Sequence, residues 1–329
     1  MAGEILAEVR DLTVRFVGRE ETVHAVNGVS FTVGAGEVLC ILGESGSGKS
    51  VTLRALMRLL PPRAKIDGVL RVVGQDVVSM SSRALRDLRG GSVSMIFQEP
   101  MTALDPVYTV GQQIGETVRR HTGCSAAAAR ARALELLNLV RIPSPERRLD
   151  AYPHELSGGL RQRAMIAMAL SCTPRLLLAD EPTTALDATV QIQVLILLRK
   201  LQRELGMGMI FVTHDLGVAA EIADTIAVMY AGRIIESGPV DRVLAEPLHP
   251  YTAGLLASTV HGQSREHDID AIPGSPPDLR RLPPGCAFAP RCSFASAECR
   301  AAVPSPRYPS PDRMARCVRV ADAALEAAE

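Results

Sequence analysis

The densest chemistry in the sequence lies in Gly43-Glu44-Ser45-Gly46-Ser47-Gly48-Lys49-Ser50, which fits the pattern G-x-x-x-x-G-K-S/T. Glycines at this spacing let consecutive backbone N–H groups converge on phosphate oxygens where a helix begins. Lys49 brings a mobile positive charge to β- and γ-phosphates, and the Ser50 hydroxyl suits Mg²⁺. A cradle is therefore expected from Gly43, Ser45, Gly46, Ser47 and Gly48 through Lys49, Ser50 and Val51. Further on, Leu176-Leu177-Leu178-Ala179-Asp180-Glu181 sets two carboxylates at the end of an apolar run. Unpaired acids among apolar neighbours are costly, so these two need a partner such as a metal ion or a reacting water. Asp180 is suited to orient Mg²⁺ or its water, and Glu181 to polarise an attacking water as general base.

The elements around these residues agree with that chemistry. Val38 to Leu42 is a continuous apolar run that reads as a buried strand, and Val51 to Leu60 is helix-compatible until Pro61-Pro62. Strand, glycine-rich loop and helix follow one another as a phosphate loop requires. Val9 to Phe16 and Val29 to Val33 carry β-type patterns, and Val93 to Phe97 is a further short strand ending beside Gln98. From Val110 to about Leu149, Ala, Leu, Arg and Glu recur at helical spacing, which predicts a helical insertion. Strand runs return at Leu176 to Ala179, Met209 to Val212 and Thr225 to Met229. Alternation of this kind predicts a mostly parallel α/β sheet. Beyond about Pro247 the pattern weakens, and Pro273 to Pro284 is dense in proline.

At Leu156-Ser157-Gly158-Gly159-Leu160-Arg161-Gln162-Arg163 the sequence resembles the signature of the ATP-binding cassette (ABC) superfamily, with Leu160 where glutamine is usual. Other cassette motifs occur in order: Gln98 after its strand, Ala185-Leu186-Asp187 past the acidic pair, and His214 after Phe211-Val212-Thr213. The resemblance implies a P-loop NTPase with a RecA-like core, an antiparallel β portion and a helical subdomain at about 99–157. It also implies roles. Ser157, Gly158 and Gly159 would meet the γ-phosphate of ATP held by a second cassette. Gln98 would sense Mg²⁺ and the attacking water, His214 would contact the γ-phosphate, and Asp187 would communicate across the cassette dimer. Phe16, at the end of the first strand, would stack on adenine, with core packing as the alternative.

Two segments, Gln98 to Pro106 and Glu246-Pro247-Leu248-His249-Pro250-Tyr251-Thr252, narrow the resemblance to ATP-binding subunits of dipeptide and oligopeptide importers, whose close relatives carry nickel and other solutes. It implies an ATP-binding domain over 1–245 and a C-terminal module over 246–329. The implied partners are a second, paralogous ATP-binding subunit, two transmembrane permeases and an extracytoplasmic peptide-binding protein. The place is the cytoplasmic face of the inner membrane. A non-transport cassette ATPase is the rival from a different class.

Cys286, Cys292, Cys299 and Cys317 crowd the end of the chain, and four thiolates are the number that a cluster or a tetrahedral zinc site needs. The spacing lacks close C-x₂-C pairs, and relatives with this pattern resemble iron–sulfur proteins. The expectation is a 4Fe–4S cluster, then structural zinc, then four free thiols. Arg291 and Arg316 beside them read as charge partners of thiolates or as surface residues. Cys40, Cys124 and Cys172 read as small hydrophobes.

Composition sets outer bounds. Thirty-six basic and thirty-six acidic residues in 329 give no excess of positive charge, so nucleic acid is not an expected partner. No run approaches the roughly 18 to 20 apolar residues of a spanning helix. The acidic start, Met1 to Glu8, lacks the features of a secretory signal. A reducing compartment, and hence unpaired cysteines, is expected.

Overall fold

The computed structural model describes residues 3–184, 186–258 and 272–321. Ala185 of the expected Ala185-Leu186-Asp187 motif lies outside the described residues, as do parts of the expected C-terminal module. The chain forms two compact units. One comprises Met1–Glu8, Thr32–Val38 and Leu70–Val212; the other comprises Val9–Phe31, Leu39–Val69 and Thr213–Glu329.

The strands, in chain order, begin with β1 (Ile5–Val17), β2 (Thr22–Gly34), β3 (Val38–Leu42), β4 (Ala64–Val72), β5 (Gln75–Asp76) and β6 (Val93–Ile96). They continue with β7 (Leu176–Asp180), β8 (Gly208–Thr213), β9 (Thr225–Tyr230), β10 (Arg233–Pro239), β11 (Arg307–Ser310) and β12 (Arg313–Ala315). The first helices are α1 (Lys49–Leu56), α2 (Ser82–Leu88), α3 (Pro100–Ala103), α4 (Val110–Thr122), α5 (Ala126–Leu139) and α6 (Pro145–Leu149). After them come α7 (Gly158–Ala169), α8 (Ala188–Leu205), α9 (Leu216–Ile222), α10 (Val240–Ala245), α11 (Pro250–Ala257) and α12 (Ala297–Ala301).

In the first unit β6, β7 and β8 run parallel. Val93 pairs with Leu176 and Ile96 with Ala179; Leu176 pairs with Gly208 and Asp180 with Val212. Every residue of β7 and β8 is buried, which is why both read as unbroken apolar runs rather than alternating ones. Asp180 belongs to β7 itself, one residue beyond the apolar stretch seen in the sequence. The helical insertion appears as α4, α5 and α6. Helix α4 starts with a capping box between Thr109 and Gln112 and ends at Gly123 in the left-handed conformation. Helix α8 starts where Asp187 accepts from the Val190 N–H and ends at left-handed Gly206.

In the second unit the parallel pair β3 and β9 aligns Leu39 with Thr225 and Leu42 with Val228. The sheet continues antiparallel through β10 and β12 to β11, with Glu236 opposite Ala315. Strands β1, β2, β4 and β5 form a separate four-stranded sheet, ordered β2-β1-β4-β5. Helix α1 is shorter than the sequence suggests. It ends at Leu56, and left-handed Arg58 turns the chain before the prolines are reached.

The end of the chain is better packed than its composition implies. Tyr230, Tyr251 and Phe288 form a cluster of rings with centroids 4.6 to 5.4 Å apart. Ala315, Cys317 and Val320 pack with Leu248 in a second small core. Glu236, fully buried, ties these parts together. It accepts from the N–H groups of Leu248 (2.8 Å) and His249 (2.9 Å) and from Arg313 Nη2 (3.0 Å).

Candidate functional site

Residues 43–50 bridge β3 and α1, as the pattern predicts, and their geometry explains the glycines. A Cβ on Gly43 would overlap the Met229 carbonyl oxygen, and one on Gly48 the Ala25 carbonyl oxygen. Strands β2 and β9 thus press against one side of the loop. Gly46, at φ +79°, faces open space, with nothing within 4 Å of an added Cβ. Lys49 is buried, and its Nζ donates to the carbonyls of Gly43 (2.7 Å) and Glu44 (2.9 Å). The ammonium is therefore held inside the loop, directly after the open turn.

The buried Ser47 Oγ has no hydrogen-bond partner among the described residues. An orphan hydroxyl of this kind costs about 1–3 kcal/mol unless it is satisfied. Together with the open side at Gly46 and the ammonium of Lys49, it makes a donor set that fits an anionic phosphate. Ser45 is exposed and Ser50 and Val51 are half-buried at the start of α1. In the same unit Phe16 is half-buried near the end of β1, and His214 is exposed just after β8.

The acidic pair lies in the first unit. Asp180 is fully buried at the end of β7. Glu181 follows at φ +45°, a left-handed conformation that is uncommon for a residue with a long side chain. Such strain costs about 1–3 kcal/mol and persists only when the surroundings impose it. Here the Glu181 N–H donates to the Val212 carbonyl (3.0 Å) and the Thr184 hydroxyl donates to Glu181 Oε2 (2.9 Å). The carboxylate is thus turned out of the strand and fixed in direction.

Elsewhere in the first unit Gln98 is exposed just beyond β6. Gln113 organises the loop that follows, accepting from the Asp105 N–H and donating to the carbonyls of Asp105 and Tyr108. Ser157 occupies the N-cap position of α7, yet its side chain makes no capping hydrogen bond. Ser157 and Gly158 are exposed, and Gly159 is half-buried against Val190. A serine in this position ordinarily caps its own helix; here the hydroxyl stays available. Asp187, by contrast, spends one carboxylate oxygen on capping α8.

The chain matches two family profiles: "ABC transporter" over residues 26–184 and "Oligopeptide/dipeptide transporter, C-terminal region" over 235–299. It is 50% identical, over 97% of its length and 98% of the relative's, to a Brucella melitensis protein named as a peptide import ATP-binding protein. The chain belongs to the ATP-binding subunits of ABC transporters. The oligopeptide transport ATP-binding protein OppD of Bacillus subtilis is 51% identical over 88% of the chain and 82% of that protein. Among solved structures, the dimeric cassette MJ0796 in a post-hydrolysis state with ADP and Pi is similar at a TM-score of 0.65 and 29% identity, over 71% of this chain and 98% of that one. This cassette is an ATPase that binds ATP.

The cysteine expectation is corrected. Cys286, Cys292, Cys299 and Cys317 are free thiols that line one small cavity with His249, Phe288 and Arg316. Among the described residues, however, no three His, Cys, Asp or Glu side chains are grouped to hold a metal ion. The matched family profiles are those of a plain ABC ATPase with its transporter C-terminal region. The expectation of a 4Fe–4S cluster therefore fails, and the zinc alternative finds no ligand group among the described residues. Four cysteines supply a ligand number; they do not by themselves supply convergence. Burial pushes the Cys286 and Cys317 thiols up, towards the neutral form, while the Ser296 hydroxyl pulls Cys299 down. Aromatic packing and buried ion pairs order this region.

Arg291 is neither a thiolate partner nor a surface residue: it is buried against Glu44 of the phosphate loop. Nothing in the sequence joins those two positions. The usable signal was an arginine beside Phe288 in a short segment poor in other core residues.

Proposed function

We propose that this cassette hydrolyses ATP to drive import of short peptides through membrane permeases. The phosphate loop carries the reading: it is walled on one side, open at Gly46, and holds a buried ammonium and a buried hydroxyl that has no hydrogen-bond partner among the described residues. The backbone N–H groups from Gly43 to Val51 would cradle the phosphates, Lys49 would turn from the loop carbonyls to the β- and γ-oxygens, and Ser50, Gln98 and Asp180 are the residues that would hold Mg²⁺. Mg²⁺, when bound, neutralises charge on the phosphates. Glu181, aimed by Thr184, takes a proton from the attacking water, His214 and Gln98 orient the reacting groups, and Phe16 stacks on adenine.

Ser157, Gly158 and Gly159 serve the nucleotide of a second cassette. The Ser157 hydroxyl, which makes no capping bond to its own helix, supports this, as does the dimeric state named for MJ0796. The partner is a paralogous chain, with Asp187 near the contact. Residues 1–245 form the ATP-binding domain and 246–329 the C-terminal module. Among the described residues no helix is long and apolar enough to cross a membrane; we place the chain peripherally, on the cytoplasmic face. Met101, Val107 and Tyr108, all exposed beyond Gln98, offer the permeases an apolar surface. An extracytoplasmic binding protein delivers the cargo.

The peptide reading rests on the relatives' names and on the match at residues 235–299. Uptake by the reconstituted complex across dipeptides, longer peptides and nickel tests it. ATP-dependent peptide uptake is expected. Uptake of nickel alone, or retention of the chain on ribosomes or DNA ends in place of permeases, would overturn it.

A further inference from the structure

The C-terminal segment grips the phosphate loop at Glu44. Glu44, the second position of the loop, receives both arms of Arg291: Nη1 donates to Oε2 at 2.8 Å and Nη2 to Oε1 at 3.1 Å. The Arg291 side chain is only 6% exposed. Its other N–H groups are also directed, Nε to the Pro273 carbonyl (2.8 Å), Nη1 also to the Tyr230 hydroxyl (3.3 Å) and Nη2 also to the Ile272 carbonyl (3.4 Å). A guanidinium with all five donors committed is a fixed strut. The carboxylate of Glu44 in turn raises the Arg291 pKa, so the strut stays charged.

Glu44 is held a second time, through its backbone. Its N–H donates to the Tyr251 hydroxyl at 3.0 Å, and Tyr251 is fully buried among Tyr230 and Phe288. The Glu44 carbonyl then accepts from Lys49 Nζ. One residue thus links the C-terminal packing to the lysine that serves the phosphates. Charge matters as much as shape. A carboxylate at this position would repel an incoming polyphosphate, and Arg291 neutralises it where water is largely excluded.

We propose that Arg291 and Tyr251 are positioning residues for nucleotide binding, clamping and neutralising Glu44 so that the phosphate loop is preset for ATP and its affinity depends on the C-terminal segment. The inference rests on reading 43–50 as the phosphate cradle.

Calorimetric titration of the full chain with Mg·ATP tests it, with stoichiometry reporting the folded fraction. R291M is expected to raise Kd about tenfold at unchanged stoichiometry, and Y251F about threefold. E44Q combined with R291M should recover at least half of the loss on a logarithmic scale, because the unneutralised charge is gone. A role in folding alone would lower stoichiometry or Tm and leave the Kd of the folded fraction unmoved. K49A is the control for the cradle. If K49A loses ATP while R291M and Y251F bind as the parent does, or if the double variant binds no better than R291M, the clamp is overturned. If K49A itself binds normally, the cradle reading fails instead. Should R291M not fold, Y251F decides: an unchanged Kd at full stoichiometry overturns the clamp.

Discussion

Gly46→Ala and Gly48→Ala form a matched pair that tests the walled loop directly. Both positions have positive φ, +79° and +102°, so an alanine at either pays a left-handed penalty of about 1–2 kcal/mol. Loss of glycine freedom in the unfolded chain offsets about 0.4–1 kcal/mol of that at both sites. The surroundings then separate them. An added Cβ at Gly46 meets nothing within 4 Å, whereas at Gly48 it overlaps the Ala25 carbonyl and comes 2.9 Å from Met229 Cε. Forcing backbone and core apart adds about 1–3 kcal/mol. G46A should therefore cost about 1 kcal/mol and G48A about 3 kcal/mol. Urea unfolding without nucleotide measures the difference, expected to be about 2 kcal/mol. In the binding assay the order should narrow, because the Gly46 methyl enters the open side meant for phosphate. Equal losses of stability, or a larger one for G46A, would refute the wall.

Two further predictions concern the packing beyond β10. His249 is buried and its pKa is pushed down to about 4, with Nδ1 accepting from the Tyr251 N–H. Between about pH 6.5 and 4 the unfolded chain binds the extra proton, so stability should fall with falling pH by about 3 kcal/mol, and H249N should flatten that slope in pH-dependent urea titrations. E236A should cost about 3–5 kcal/mol, since Arg313 and two backbone N–H groups lose their acceptor, while E236M combined with R313M should cost less; chemical denaturation of both reads the difference.

The strand–loop–helix setting of residues 43–50 and the place of Asp180 at a strand end were legible because glycine spacing and apolar runs mark both in the sequence. Strands β3, β7 and β8 were legible because both faces are buried, leaving unbroken apolar runs. Strands β4 and β10 were not: exposed Lys65, Asp67 and Gly68 break the pattern of one, and buried Glu236 breaks that of the other. Glu236 reads as polar but is satisfied inside by Arg313, an interaction that sequence spacing cannot show. The Glu44–Arg291 pair is invisible for the same reason, its members lying 247 positions apart. The left-handed turn at Glu181 depends on Val212 and Thr184, so the motif gave its identity but not its aim. The cysteines misled because a ligand count does not supply ligand geometry: all four line one cavity, yet they are not grouped to hold a metal ion among the described residues.

The most direct measurement is phosphate release by Glu181→Gln alongside the parent chain, paired with Mg·ATP affinity. The amide of that variant keeps an oxygen for Thr184 but cannot take the proton of water. With the paralogous partner present, ATP affinity should stay within about threefold of the parent while turnover falls by about 100-fold or more, and the ATP-bound chain should persist in a dimer with that partner on size exclusion. Turnover near that of the parent would contradict the assignment of Glu181 as the base of an ATP-hydrolysing cassette.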